Sequence, residues 1–381
     1  MNYSDSTKYL SIKETIKISQ AIGNSKKDTE IIDFGRGDTD MLISSDSIKK
    51  LTRSLINGEY KYSSSKGNRE LLEKLATINN VSRDNIAIGN GASSLFYLTL
   101  KILFNTDDEI VIMAPYWPVY KTQSNIEGIV PRIFKLDNKL NFQSKNLDSF
   151  IKKLKKPKAI VINNPNNPSG KVFSKKELQD IIKISKKYKL TIISDEVYSD
   201  IVFSPTKYYG MLDVSKDLKN IVIINSASKN YGMSGFRIGY LISNNEFIEK
   251  IVSLISETVS NVPEFIQTCL LNELHDVKKH KRNIEDIGKK LAVAIKEIKK
   301  SKNLVLNTYG NTIYLFPKLK DIKYKSEEFS IKLAKEYGVI VTPGIYFGME
   351  NYIRISIGNT SIKNIKKGLD LINKFIEKNK I

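Results

Sequence analysis

PKAIVINNPNNPSGKVFSKKELQDIIKISKKYKLTIISDEVYSD, residues 157–200, reads as strand, turn, helix and strand. KAIVI (158–162) and TIIS (191–194) are apolar, β-branched and short, the mark of strands buried on both faces. Between them Ser174 precedes Glu177 by three residues, a capping box that predicts a helix start. Leu178, Ile181, Ile182, Ser185 and Tyr188 then fall on one helical face.

Outward from this unit the alternation continues. IAIG (86–89), EIVIM (109–113), IVIIN (221–225) and IGYLI (238–242) are further strand candidates, several separated by helical segments. The pattern predicts an α/β fold with a mainly parallel sheet sandwiched by helices. Ligands of such sheets sit beyond the carboxyl ends of the strands. After about residue 263 the pattern changes. A long helix through IEDIGKKLAVAIKEIKK (284–300) is followed by the strand-like NTIYLF (311–316) and NYIRISIG (351–358), around the helix EEFSIKLAKEYG. This predicts a smaller α+β domain over 284–381, a large domain over 46–283, and an N-terminal segment, 1–45, that packs with the small domain.

The bulk composition narrows the function classes. A chain of 381 residues favours two lobes, and 41% hydrophobic with 27% charged residues is ordinary for a folded protein. The net charge is +20, from 61 basic and 41 acidic residues. Lysine is spread along the chain and forms no basic stripe or recognition motif, so no nucleic-acid partner is expected. The first twenty residues carry scattered charges and do not read as a secretory signal. No run is apolar enough to span a membrane, and Cys269 is the single cysteine, so a reducing, cytoplasmic setting is expected. Only His275 and His280 are present, so no metal site or histidine triad is expected. There is no GxxxxGK[ST] loop either. Attention moves to lysine, arginine and tyrosine chemistry.

Four segments carry such chemistry. In IAIGNGASSLFYLTL (86–100) a strand ends at Gly89, a glycine turn follows, and an apolar helix begins near Ser93. Free N–H groups at a helix N-terminus suit phosphate. Gly89 and Gly91 match the start of a dinucleotide fingerprint, but Ser94 stands where its third glycine belongs, which points to a single terminal phosphate. A plain capped turn is the simpler alternative. INNPNNPSGKVFS (162–174) is a polar turn at a strand's carboxyl end, where an amide also reaches a ligand. In TIISDEVYSD (191–200) Asp195 ends an apolar strand. It is either a helix cap or a carboxylate that awaits a buried cation. INSASKNYGMSGFRIGY (224–240) puts Lys229 just after a strand, with Ser226, Ser228 and Arg237 around it.

With these segments in order, the chain resembles the class I/II aminotransferases of the fold-type-I pyridoxal-phosphate enzymes. The resemblance runs from about residue 30 to the C-terminus. It rests on GNGASS (89–94), APYWPVY (114–120), NNPNNPSG (163–170), SDEVY (194–198), SASKNYGMSGFRIG (226–239) and YIRISIG (352–358). It implies a seven-stranded sheet and a ping-pong transfer of an amino group between an L-amino acid and a 2-oxo acid, with pyridoxal 5'-phosphate as cofactor. It implies that Lys229 forms a Schiff base with the cofactor aldehyde and that Asp195 pairs with the pyridine nitrogen. Tyr198 and Asn167 would bond the phenolic oxygen. Ala92, Ser93, Ser94, Ser226, Ser228 and Arg237 would hold the phosphate, and Trp117 would stack on the ring. In EYKYSSSKGNREL (59–71), Tyr62 is similar to a tyrosine that reaches the phosphate of a second subunit, so a homodimer with shared sites is implied. Arg354 resembles the arginine that grips the substrate α-carboxylate, helped by backbone near Gly37.

The chain departs from the family at Gly35-Arg36-Gly37-Asp38-Thr39-Asp40, where Thr39 replaces the usual proline. Arg36 reads as a surface ion pair rather than a contact for an acidic substrate. A cofactor-dependent C–S β-lyase is the rival enzyme, but those tend to carry NPHNP where this chain has Asn166 in NPNNP. A non-catalytic regulatory protein is the more remote alternative, and the presence of Lys229 argues against it.

Overall fold

A computed structural model describes residues 3–10, 30–137, 139–306 and 311–381. Residues 1–2 and 11–29 of the N-terminal segment lie outside the described residues. The 157–200 unit folds as its sequence predicts. Its strands are Pro157–Asn163 and Thr191–Asp195, paired in parallel, and the helix Lys175–Tyr188 joins them. Ser174 and Glu177 form the reciprocal capping box. The buried face differs in part: Leu178, Ile181 and Ser185 are buried together with Ile184, while Ile182 and Tyr188 are half-buried.

Seven strands make the main sheet. In spatial order they are Ile86–Gly89, Gly239–Ile242, Ile221–Ser226, Thr191–Asp195, Pro157–Asn163, Glu109–Ala114 and Val130–Lys135. Only Gly239–Ile242 runs antiparallel to its neighbours. The carboxyl ends of the other six therefore share one edge. Successive side chains of a strand point to opposite faces. Accordingly Ile160 and Ile162 enter one core, with Val111, Met113 and Ile223, while Ala159 and Val161 enter another, with Ile110, Ile112 and Val222. The sequence reading missed the edge strand Val130–Lys135, which carries Pro131 and Arg132 and is only partly buried. An edge strand tolerates proline because one side of its backbone needs no partner.

A third core gathers the rest. Ile32, Phe34 and Met41 pack there with residues from Ile287 to Phe375 and Ile376, and with Val197, Tyr198 and Ile201. Its strands are short: Tyr314–Leu315 and Thr342–Pro343 flank Ile353–Ser356, and Ile32–Asp33 pairs in parallel with Val339–Ile340. NTIYLF thus yields only a two-residue strand. The helix Val277–Ile298 begins earlier than expected and runs unbroken across residue 284. Tyr198 follows the large sheet's strand in sequence yet packs in this third core, so it stands at the seam between the two parts.

Candidate active site

Several of the residues singled out by sequence lie at the carboxyl edge of the large sheet. After Gly89 the chain turns at Gly91, whose φ of +83° suits glycine, into the helix Ala92–Leu103. No side chain caps this helix, so its first turn, Ala92, Ser93 and Ser94, presents N–H groups outward. A Cβ on Gly91 would lie 2.7 Å from Arg237 Nη2, and one on Gly239 would lie 3.2 Å from the Ala92 nitrogen. Both glycines therefore let an arginine and a strand close in on the helix end. Ser226 caps the short helix Ala227–Asn230, and its hydroxyl lies 2.9 Å from that of Ser228. Arg237, in the left-handed region at φ +54°, completes this cluster. Hydroxyls, a guanidinium and an open helix end together form a donor set for a dianion.

Asp195 ends its strand almost fully buried. The chain after it makes turns rather than a helix, so Asp195 is not a helix cap. The Val197 N–H donates to its Oδ1 at 3.2 Å, and the Tyr120 hydroxyl donates to its Oδ2. Burial pushes the carboxyl up to about 6 against the pull of these two donors. Tyr120 in turn is held well above its ordinary value by burial and by the Asp195 charge. Trp117 meets Tyr120 edge-on, ring centroids 5.5 Å apart.

Lys229 projects from Ala227–Asn230 toward the loop that begins at Gly35. Its Nζ donates to the Gly37 carbonyl at 2.5 Å and lies 3.6 Å from Asp38 Oδ1. Asp38 also accepts from the Ser234 hydroxyl at 2.8 Å and from the Thr39 N–H. Arg354 lies on Ile353–Ser356, 6% exposed. It donates to Asn167 Oδ1 at 3.1 Å, to the Gly35 carbonyl at 2.6 Å and to Thr342 Oγ1 at 3.3 Å. Its Nε has no partner, and among the described residues no carboxylate pairs with it. Its guanidinium rests between the rings of Tyr314 and Phe347, 4.7 and 5.0 Å from their centroids.

Three demands remain unmet by protein atoms: a cation for Asp195, a carboxylate for Arg354, and an anion for the Ala92–Arg237 cluster. A phosphate-bearing pyridinium with a carboxylate substrate answers all three, so the residues present fit pyridoxal phosphate. Tyr62 stands apart. It is 89% exposed, and no described hydrogen bond joins it to the others. Arg36 is exposed and makes no ion pair among the described residues, in place of the surface pair expected. Sequence reasoning overlooked Tyr120 and Tyr314. Tyr120 carried a signal, since it closes the APYWPVY segment; Tyr314, in a short apolar run, carried none.

Comparison with known proteins adds the following. The family model described as aminotransferase class I and II matches residues 29–372. The chain is 32% identical to (5-formylfuran-3-yl)methyl phosphate transaminase of Methanocaldococcus jannaschii, over 96% of each chain. It is 30% identical to aspartate aminotransferase of Bacillus sp. (strain YM-2), over 91% of this chain and 92% of the relative. The crystal structure of aspartate aminotransferase from Thermotoga maritima superposes with a TM-score of 0.89 at 28% identity, covering 98% of this chain and all of that one.

Proposed function

The chain belongs to the class I and II aminotransferases, and from that membership we propose a division of labour among its residues in pyridoxal-phosphate-dependent amino transfer. When bound, the cofactor supplies an aldehyde to carry the amino group and a ring that draws electrons from the substrate's Cα–H bond. Ala92, Ser93, Ser94, Ser226, Ser228 and Arg237 hold its phosphate. Asp195 supplies the counter-charge at the pyridine nitrogen, and Tyr120 keeps that carboxylate pointed. Asn167 and Tyr198 bond the phenolic oxygen, and Trp117 covers the ring. Lys229 anchors the cofactor covalently. When its Nζ is free, Lys229 would serve as the acid–base group that takes the substrate Cα proton and gives one back, with the Gly37 carbonyl, 2.5 Å away, marking its position.

Arg354 grips the α-carboxylate in a two-pronged fashion that lysine does not reproduce. Gly37 shapes the space beside it. The partner subunit's Tyr62 completes the phosphate site in a homodimer. We also read residues 46–283 as the cofactor lobe and 284–381 as the smaller lobe, with the segment before 46 joined to the latter; the third core and the pairing of Ile32–Asp33 support this. A cytoplasmic location fits a chain whose single thiol, Cys269, is buried.

The observation that carries the reading is that Asp195 ends a strand of the large sheet with no cation beside it among the described residues, while Arg354, which reaches Asn167 beyond the same edge, has no carboxylate among them. Borohydride reduction of the yellow holoenzyme, followed by peptide mapping, tests it. The cofactor should be fixed on Lys229, and Lys229→Ala protein should have no turnover. An adduct on any other lysine contradicts the reading.

A further inference from the structure

Tyr314 touches three parts of the site at once. Its hydroxyl lies 2.8 Å from that of Tyr198, with either oxygen able to donate. The two rings pack edge-on at 5.5 Å. The face of Tyr314 lies under the Arg354 guanidinium. A Cβ on Gly37 would fall 2.3 Å from the Tyr314 hydroxyl, so the glycine that receives Lys229 Nζ also leaves room for this phenol. Tyr314 is itself almost wholly buried.

A buried phenol pair holds two protons and needs an acceptor for each. Burial and the neighbouring Tyr314 hold Tyr198 well above its ordinary value, so Tyr198 keeps its proton. That proton reaches only one acceptor. If Tyr198 donates to the cofactor's phenolic oxygen, the 2.8 Å contact is sustained only by the Tyr314 proton. We propose that Tyr314 is a positioning residue: it donates to Tyr198 and so directs the Tyr198 proton onto the cofactor oxygen, while its ring seats Arg354. This rests on the reading of Tyr198 given above. Donation from Tyr314 polarises the Tyr198 O–H and strengthens its bond to the deprotonated cofactor oxygen. The charged groups around the pair are Asp195 and Arg354, both felt by Tyr198, and Lys229 with Asp38 beyond Gly37.

The test uses the loaded enzyme and reads the pH midpoint of the cofactor's visible absorption change, not turnover. Tyr314→Phe should raise the midpoint by about half a unit or more, roughly a threefold change in proton affinity. Tyr198→Phe should raise it further, and adding Tyr314→Phe to Tyr198→Phe should then change little, since the relay is already broken. Inhibition by a simple carboxylate such as butanoate should stay within about twofold in Tyr314→Phe, because the ring under Arg354 remains. Introducing 3-fluorotyrosine at position 314 keeps the shape and makes the donor more acidic, so the midpoint should fall. That variant carries the test should Tyr314→Phe fold poorly. An unchanged or lowered midpoint in Tyr314→Phe, or no fall with the fluorinated residue, overturns the proposal. If Tyr198→Phe itself leaves the midpoint unmoved, the reading of Tyr198 fails and takes this inference with it. A shift with Tyr198→Phe alone sinks only the role of Tyr314.

Discussion

Arg354 donates to neutral oxygens of Asn167, Gly35 and Thr342, but among the described residues its charge meets no carboxylate and its Nε has no partner. A buried guanidinium in that condition favours an arriving carboxylate, and loss of such a pair typically costs about 3–5 kcal/mol. Arg354→Ala should therefore lower kcat/KM for an amino acid by roughly two to four orders of magnitude. The decarboxylated amine, a poor substrate to begin with, should be nearly indifferent to the change; equal losses for both compounds would assign Arg354 to the fold. Asp195 makes a pH-dependent prediction. Its folded value of about 6 lies above the ordinary 3.8, so the protein without cofactor favours the neutral acid. The resulting penalty on folding is absent below about pH 4, grows through 6, and is full above it, on the order of 3 kcal/mol. Cofactor-free Asp195→Asn should thus gain thermal stability over the parent at pH 7.5 and little at pH 4.5. An equal difference at both pH values would show that the Asp195 charge is already compensated. At this scale the sequence was informative wherever a residue sat in a motif at a strand end, as Lys229, Asp195 and Arg237 do. Tyr314 was not legible, because its role depends on the approach of Gly37, 277 positions away in the chain, and no local pattern records that.

The strand ends explain why so few elements suffice for the site. Six parallel strands finish at one edge, so the turns after Gly89, Asn163, Asp195 and Ser226 deliver their side chains to a common space without long loops. The one antiparallel strand, Gly239–Ile242, begins at that edge, and this brings Arg237 to the helix end at Ala92. Gly91 controls that junction. Gly91→Ala would strain a left-handed backbone and press on Arg237 Nη2, so cofactor affinity should fall by about tenfold, with roughly 1 kcal/mol lost in stability. Equilibrium dialysis against pyridoxal phosphate and urea denaturation measure the two effects; unchanged affinity would remove the helix end from the phosphate site. Strands buried on both faces, and the helix opened by Ser174, were readable because their period and caps are local. Val130–Lys135 was not, since a proline and an arginine hide an edge strand whose burial comes from its neighbour. The short strands of the third core were likewise poorly marked: two residues carry no period.

Across the whole molecule, exposed apolar residues are scattered, but several fall close together in the sequence between residues 42 and 62. Leu42, Ile48, Ile56, Tyr60 and Tyr62 are all exposed, three of them by more than three-quarters. Tyr62, the most exposed of them, is the residue the resemblance places at a subunit interface. If sites are shared, mixing Tyr62→Phe subunits with Lys229→Ala subunits yields hybrids in which one site carries both defects and the other neither. Activity should reappear in the mixture; a protein that stays monomeric at assay concentration would refute the shared site. Lys229 and its neighbours are set to move an amino group rather than eliminate one. The most direct measurement is a single half-reaction: holoenzyme is mixed with one amino acid and no acceptor, and products are counted per active site. Amino transfer releases one 2-oxo acid per site, converts the cofactor fully to its amine form, yields no ammonia, and restores the yellow form when a different 2-oxo acid is added. Continuous release of ammonia with the cofactor spectrum unchanged would contradict it.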